Sequence, residues 1–69
     1  MAERLANRLK ERRSELGLTQ AELAERVGVT RKTVNTVENG VFVPSTLLAL
    51  KLAKALGLAV EELFSISPD

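Results

Sequence analysis

The stretch Thr19–Gly40 constrains the fold of this chain more than any other. It reads TQAELAERVGVTRKTVNTVENG, two short amphipathic runs separated by a turn that contains Gly28. Thr19 and Glu22 match a T-x-x-E capping box at the start of the first run. Thr30 can cap the second run through its hydroxyl. The pattern therefore predicts two consecutive short helices that are joined by a tight turn.

The second of these helices separates its side chains into two faces. At about 100° per residue, one continuous arc holds polar side chains without an acid, and the other holds the apolar ones. The polar arc consists of Arg31, Lys32, Asn35, Thr36 and Asn39, and the opposite arc of Thr33, Val34, Val37 and Glu38. An acid-free row of hydrogen-bonding side chains suits the reading of base edges in a DNA major groove. An ordinary solvated helix surface is the alternative interpretation.

Length and composition limit what else the chain can be. Its 69 residues suffice for one small domain, which we predict over 1–66 with a frayed tail at 67–69. Cysteine and histidine are absent, which excludes disulfides, thiolate chemistry and the usual zinc sites. No apolar run approaches the roughly 18 residues that span a bilayer, and no signal peptide opens the chain. We expect a cytoplasmic protein without cofactor, small-molecule ligand or membrane partner.

The charges are unevenly distributed along the chain. The net charge is only +1, but eight of the ten basic residues lie between Arg4 and Lys32. Three acids, Glu61, Glu62 and Asp69, lie near the other end. Binding to nucleic acid depends on a local basic face rather than on the total charge. The distribution of charge alone does not favour a nucleic-acid-binding face over an ordinary charged surface.

Glycines divide the chain into helical segments. All four glycines follow an amphipathic run, where glycine in the left-handed conformation commonly ends a helix. The first two predicted helices cover about Ala2–Leu16 and the run that begins after Thr19. The third extends from after Thr30 to Asn39. The last two cover Leu47–Leu56, with a cap at Ser45, and about Val60–Ser65. No alternating strand pattern is visible, so the prediction is an all-α fold of five helices.

Three fragments carry a resemblance to a known family. They are LGLTQAELAERVGVT, TRKTVNTVENG and VPSTLLALKLAKALGLAVEELF. In this order they resemble the second helix and turn, the recognition helix, and the last two helices of the lambda-repressor-like helix-turn-helix proteins, also called the Cro/repressor or XRE type. The resemblance covers nearly the whole chain. It implies a five-helix all-α domain with a central helix-turn-helix that binds operator DNA, usually as a dimer.

The resemblance assigns roles to individual residues. The positions that match the family's base contacts are Arg31, Lys32, Asn35 and Thr36. A basic side chain there favours guanine O6 and N7, so we expect a G·C pair in each half-site. The candidates for phosphate contact are Gln20, Asn39, Lys10 and Arg12. Such contacts give affinity and salt dependence without base information, and Lys10 is equally well read as an ordinary surface charge.

Glu38 requires a partner. It falls on the inward arc of its helix, where a lone carboxylate is costly to bury. The family pattern places an arginine near the end of the first helix against this glutamate. We therefore predict a partly buried ion pair between Arg13 and Glu38.

Apolar residues exceed what one small core is expected to bury. We assign the surplus to a two-fold dimer formed by the last helix, the C-terminal segment and the outer side of the fourth helix. The residues assigned are Leu48, Leu52, Phe64 and Ile66. Two-fold symmetry would place the recognition helices about 34 Å apart on a near-palindrome. A monomer with scattered surface leucines is the alternative.

The sequence departs from the family pattern in three respects. The loop after the recognition helix is the apolar Val41-Phe42-Val43, where some phage repressors carry a basic residue that reaches the DNA. Ala59 replaces the serine or threonine that often caps the last helix. The second domain that many members carry is not seen.

Three functions are compatible with this pattern, and we do not favour them equally. We favour a transcriptional regulator that represses a promoter as a dimer. An antitoxin that also binds a toxin is the first alternative, although no toxin-binding extension is visible. A module for protein–protein contact is the second, although it has no need of Arg31 and Lys32 on an acid-free face. We do not expect an enzyme, since catalytic candidates and a glycine-rich phosphate loop are absent from the sequence.

Overall fold

Five helices form the bulk of the molecule, as the sequence predicts, and a small sheet joins the two ends of the chain. The computed structural model describes residues 3–68. The elements are β1 (Arg4–Asn7), α1 (Leu9–Glu15), α2 (Gln20–Val27), α3 (Arg31–Glu38), α4 (Thr46–Leu56), α5 (Val60–Leu63) and β2 (Phe64–Ser67). Helices α2 and α3 pack against each other and form the central helix-turn-helix. Within the described range, no helix is both long and apolar enough to cross a membrane.

The first helix begins later than the sequence predicts. We expect a helix from about Ala2, but β1 is extended and α1 begins only at Leu9; Ala2 itself lies outside the described residues. Asn7 explains this boundary, because its Oδ1 accepts from the Leu9 N–H at 3.0 Å. Its Nδ2 donates to the Val37 carbonyl at 3.0 Å. One side chain thus caps α1 and ties it to the end of α3.

The end of the chain also differs from the prediction. Helix α5 stops at Leu63 rather than Ser65, and β2 then pairs antiparallel with β1. Ser67 lies opposite Arg4 in this pair, so the prediction of a frayed tail is wrong for Ser67, and residue 69 lies outside the described range. Each strand has only four residues, too few to show a clear alternation in the sequence.

The core consists of leucine, valine and alanine side chains from all five helices, together with Leu18 of the turn between α1 and α2 and Phe64 of β2. The largest fully buried side chains are Leu9, Leu23, Val34, Val37, Leu52, Leu56 and Leu63. Burial of such side chains is the main favourable term in folding, at about 25 cal/mol per Å² of apolar surface. The core therefore lies directly behind α3 and fixes the position of its outer face.

Two of the four residues assigned to a dimer interface belong to this core instead. Leu52 is 1% exposed and Phe64 is 8% exposed, so the prediction is wrong for both. Helix α4 turns Leu52 and Leu56, four positions apart, toward the core as one stripe. Leu48 is half-buried, and only Ile66 is well exposed. The apolar surplus of the surface lies elsewhere, at Leu16, Val41, Phe42, Val43, Leu47 and Leu50.

The capping residues predicted from the sequence are found at the starts of α2 and α3 and at the end of α2. Thr19 Oγ1 accepts from the Glu22 N–H at 3.0 Å, and Glu22 Oε1 accepts from the Thr19 N–H at 2.8 Å. Thr30 Oγ1 accepts from the Thr33 N–H at 3.2 Å at the start of α3. Gly28 adopts a φ of 77°, which side chains disfavour, and this allows the sharp turn between the two helices.

Candidate nucleic-acid interface

The outer face of α3 is exposed, polar and free of acid. Arg31, Lys32 and Asn35 are exposed, whereas Val34 and Val37 on the opposite face are 1% and 2% exposed. Thr30 is the N-cap, so the two basic side chains occupy the first turn of the helix. A helix held by its apolar face and presenting such side chains at its N-terminal turn has the geometry of a major-groove reader.

Thr36 and Asn39 contribute less freely to this face. Thr36 is half-buried, and its hydroxyl donates to the Thr33 carbonyl at 2.9 Å. Asn39 Nδ2 donates to Asn35 Oδ1 at 3.2 Å. This bond uses the oxygen of the Asn35 amide and not its N–H groups. Of the four residues expected to contact bases, Arg31 and Lys32 are therefore fully presented, Asn35 is exposed with its oxygen already engaged, and Thr36 is half-buried with its hydroxyl hydrogen engaged.

Glu38 lies beneath the polar face and is fully satisfied. Arg13 Nε donates to Glu38 Oε2 at 2.6 Å, and the side chains of the two residues are 13% and 2% exposed. Glu38 Oε1 accepts from Arg13 Nη2 at 3.3 Å and from Gln20 Nε2 at 3.0 Å. Arg13 Nη1 also donates to the Leu18 carbonyl at 2.8 Å. The ion pair expected from the sequence is present, and it joins α1, α2 and α3 at one point.

Gln20 and Lys10 lie beside the recognition helix. Gln20 is half-buried in the first turn of α2, and its bond to Glu38 brings its amide next to the end of α3. Lys10 is exposed on α1 and lines, together with Ser14 and Glu38, a shallow groove of about 400 Å³. The structure thus gathers Gln20, Lys10 and Asn39 around α3.

Arg12 does not join this group. Its Nε donates to the Leu56 carbonyl at 2.9 Å, and its Nη1 lies 3.2 Å from Glu15 Oε1. A cation at the last carbonyls of a helix satisfies unpaired acceptors and complements the helix dipole. Because consecutive helical residues point about 100° apart, Arg13 faces α3 while Arg12 faces the end of α4. The phosphate contact expected of Arg12 is therefore not supported.

Sequence reasoning missed Asn7 and gave Arg12 a role that the structure does not support. Asn7 holds the end of α3 through the Val37 carbonyl, and Arg12 holds the end of α4. Both bonds span more than twenty positions in the chain, so no local pattern could reveal them. An asparagine two residues before the first residue of a helix was the one available signal for Asn7.

Comparison with known proteins places this geometry in context. A helix-turn-helix family model matches residues 9–63. A curated relative, an uncharacterised HTH-type transcriptional regulator of Methanothermobacter thermautotrophicus, is 52% identical over 62 residues, covering 88% of this chain and 90% of the relative.

Solved structures show the same likeness. The restriction-modification controller protein C.AhdI from Aeromonas hydrophila aligns with a TM-score of 0.76 and 42% identity, over 80% of this chain and 83% of that one. The P22 c2 repressor in complex with a synthetic operator aligns with a TM-score of 0.76 and 31% identity, over 78% of this chain and 82% of that one. The fold and the position of the helix-turn-helix are therefore shared with proteins of regulatory function.

Proposed function

The chain belongs to the helix-turn-helix (XRE-type) family of DNA-binding transcriptional regulators, and we propose that it represses transcription by binding a near-palindromic operator as a homodimer. Members of this family are regulators rather than enzymes. The observation that carries the proposal is the exposed, acid-free outer face of α3, with Arg31 and Lys32 in its first turn.

We assign base reading to Arg31, Lys32, Asn35 and Thr36. Arg31 and Lys32 match guanine O6 and N7, whereas an asparagine such as Asn35 pairs with adenine N6 and N7. Each well-placed bidentate contact contributes about 1–3 kcal/mol of discrimination between bases. The buried Val34 and Val37 support these residues from behind, which limits the motion of the helix that carries them.

We assign phosphate contacts to Gln20, Asn39 and Lys10. Gln20 and Lys10 lie beside α3, and Asn39 caps its end. All three carry N–H groups that can donate to phosphate oxygens. Such contacts fix the register of α3 on the duplex without reading its sequence. Lys10 adds a charge, so it contributes to the dependence of the affinity on salt.

The short length of α3 supports a dimer. Eight residues at about 1.5 Å each make a helix of roughly 12 Å, which covers only three or four base pairs at about 3.4 Å each. So short a site recurs too often in a genome to direct regulation alone. A second copy doubles the site and, by two-fold symmetry, makes it a near-palindrome.

Repression by occupation of a promoter is the simplest role for this dimer. The named likeness to the P22 c2 repressor on its operator supports that role. We also place the protein in the cytoplasm, as the compartment of the DNA that we propose it binds.

Selection of a randomised duplex library by the purified protein, at about 0.15 M salt, tests the proposal. We expect two related half-sites with centres about 10 base pairs apart. Arg31→Ala should relax selection at one position of each half-site. Lys54→Ala, which removes an exposed charge from α4, should leave the selected sequence unchanged. A folded protein that enriches no sequence would contradict the proposal.

A further inference from the structure

Three consecutive apolar side chains are exposed directly after the recognition helix. Val41, Phe42 and Val43, here called the apolar loop, are 78%, 47% and 69% exposed. Their backbone is fixed, because the Thr36 carbonyl accepts from the Val41 N–H at 2.9 Å and from the Phe42 N–H at 3.2 Å. A loop that is held in place while it presents apolar groups to water is suited to contact with another surface.

The apolar loop borders a cleft that extends to the sheet. The cleft has a volume of about 310 Å³, and its lining includes Leu5, Val37, Phe42 and Val43, together with Glu3 and Arg4 at the start of the described chain. Leu5 is paired with Ile66 across the sheet, so the two side chains lie on the same face. Ile66 is 71% exposed. We treat the apolar loop, Leu5 and Ile66 together as one surface, here called the sheet–loop surface.

We propose that the sheet–loop surface is the interface through which two copies of this chain form a dimer. The inference rests on the homodimer of the proposed function and replaces Leu52 and Phe64, which are buried, with residues that are accessible. Ile66 alone is retained from the interface expected from the sequence.

The charges beside the cleft favour a second copy as the occupant. Glu3 and Arg4 are exposed, adjacent and opposite in sign, and neither forms an ion pair within residues 3–68. In a two-fold interface every contact occurs twice: if one residue of the first protomer contacts a second residue of its partner, the reverse contact forms as well. Glu3 of one protomer can therefore pair with Arg4 of its partner, and the reverse pair forms at the same time. The cleft is thus lined by apolar side chains and by residues of both charges, as a self-complementary surface requires.

The exposed apolar residues of α4 lack this property. Leu47 and Leu50 on α4 are 63% and 53% exposed. Lys51 and Lys54 follow each of them by four positions, so they lie on the same side of the helix. The sequence of α4, TLLALKLAKAL, contains no acid. A two-fold contact through this helix would bring positive charges together, which is unfavourable.

The position of the sheet–loop surface also suits DNA binding. The apolar loop follows α3 directly, so a two-fold axis through it lies nearer the C-terminal end of α3 than the end that carries Arg31. The two base-reading ends then point away from the axis toward separate half-sites, as a palindrome requires.

Sedimentation velocity of the free protein over a wide concentration range tests the interface without DNA. Val41→Glu and Ile66→Glu should each raise the dissociation constant of the dimer by about tenfold or more, since they bring charges into an apolar contact. Both side chains are mostly exposed, so neither substitution opens the core, and a thermal melt verifies folding. Leu50→Glu is the matched control and should leave the constant unchanged.

A charge exchange tests the pairing itself. Glu3→Arg and Arg4→Glu should each weaken the dimer, because each places like charges opposite one another. The double variant with both substitutions should restore the dimer, because it exchanges the two signs without losing a pair. A double variant weaker than either single one would overturn the pairing.

The test separates this inference from the proposed function. If the wild-type protein is a dimer but enriches no DNA sequence, the interface remains supported and the proposed function is contradicted. Dissociation by Leu50→Glu, or a dimer unaffected by Val41→Glu and Ile66→Glu, would overturn the interface. A wild-type chain that is monomeric both free and on the full palindrome would overturn it as well.

Discussion

Arg13 and Glu38 join α1 to the end of the recognition helix, with Arg13 Nε and Glu38 Oε2 only 2.6 Å apart. The Glu38 side chain is 2% exposed, and both of its oxygens accept hydrogen bonds. A buried carboxylate of this kind is tolerated because its cation and donors are present, and it becomes costly when they are removed.

Arg13→Ala should therefore be one of the most destabilising substitutions in the chain. It leaves the Glu38 carboxylate without its cation, and we expect the free energy of unfolding to fall by about 3–5 kcal/mol. Urea denaturation measures this quantity. Arg8→Ala is the control, because the Arg8–Glu11 pair is exposed and its loss should change stability little. Equal effects of the two substitutions would contradict the prediction.

The parts of the fold that the sequence predicts depend on contacts between near neighbours. The caps at Thr19, Thr30 and Ser45 each join residues three positions apart, so a short pattern reveals them. The strands pair Leu5 with Ile66, and nothing close to either residue in the chain indicates the other. A helical pattern at the start of the chain therefore concealed an extended segment whose partner lies at the other end.

The candidate site likewise has features that the sequence predicts and features that it does not. The polar face of α3 follows from helical periodicity alone, and the pairing of Arg13 with Glu38 follows from that periodicity and the family pattern. The direction of Arg12 depends on where α4 ends, because its guanidinium bonds the Leu56 carbonyl. The sequence of α1 contains no information on that point. The resemblance to the family was therefore a poor guide to the role of Arg12.

The capping box of α2 should make stability depend on pH. Hydrogen bonds from the Thr19 backbone N–H and hydroxyl hold the pKa of Glu22 below its usual value of 4.5. A carboxylate with a lowered folded-state pKa contributes stability that is fully present above its unfolded-state pKa. That contribution is lost as the pH falls through the folded-state pKa. The capping contribution of Glu22 should therefore be present at neutral pH and absent in acid.

Glu22→Gln isolates this contribution, because a glutamine resembles the protonated acid in shape and charge. We expect wild type to have a higher Tm than the variant near neutral pH, and the difference to shrink in acid as the Glu22 carboxylate is protonated. Thermal unfolding followed by circular dichroism measures both values. A difference in Tm that stays constant from neutral to acid pH would show that the charge of Glu22 plays no part.

Arg31 and Lys10 should have separable effects on DNA binding. Arg31→Ala should cost about 1–3 kcal/mol on the preferred sequence and relax selection at one base pair of each half-site. Lys10→Ala should weaken binding about equally on all sequences and lower the slope of log affinity against log salt by about one per protomer. Fluorescence anisotropy on matched and mismatched duplexes at several salt concentrations measures both. A sequence-dependent effect of Lys10→Ala would remove it from the phosphate group.

Glu38 should also act on DNA binding through Gln20, separately from its role in stability. A carboxylate accepts hydrogen bonds but donates none, so it fixes Gln20 with Nε2 toward Glu38, at 3.0 Å from Oε1. The remaining N–H of that amide is then the donor for the proposed contact with a phosphate oxygen. Glu38→Gln offers both a donor and an acceptor, so the amide of Gln20 loses its fixed orientation while the side chain keeps its size.

A double-mutant cycle on DNA affinity separates this effect from a change in stability. With the proteins verified as folded, Glu38→Gln should lower affinity for the selected operator about threefold to tenfold, near the value of one hydrogen bond. In a chain that already carries Gln20→Ala, the same substitution should have no further effect, because the amide that it releases is absent. Equal losses in both backgrounds would show that Glu38 acts only on the fold.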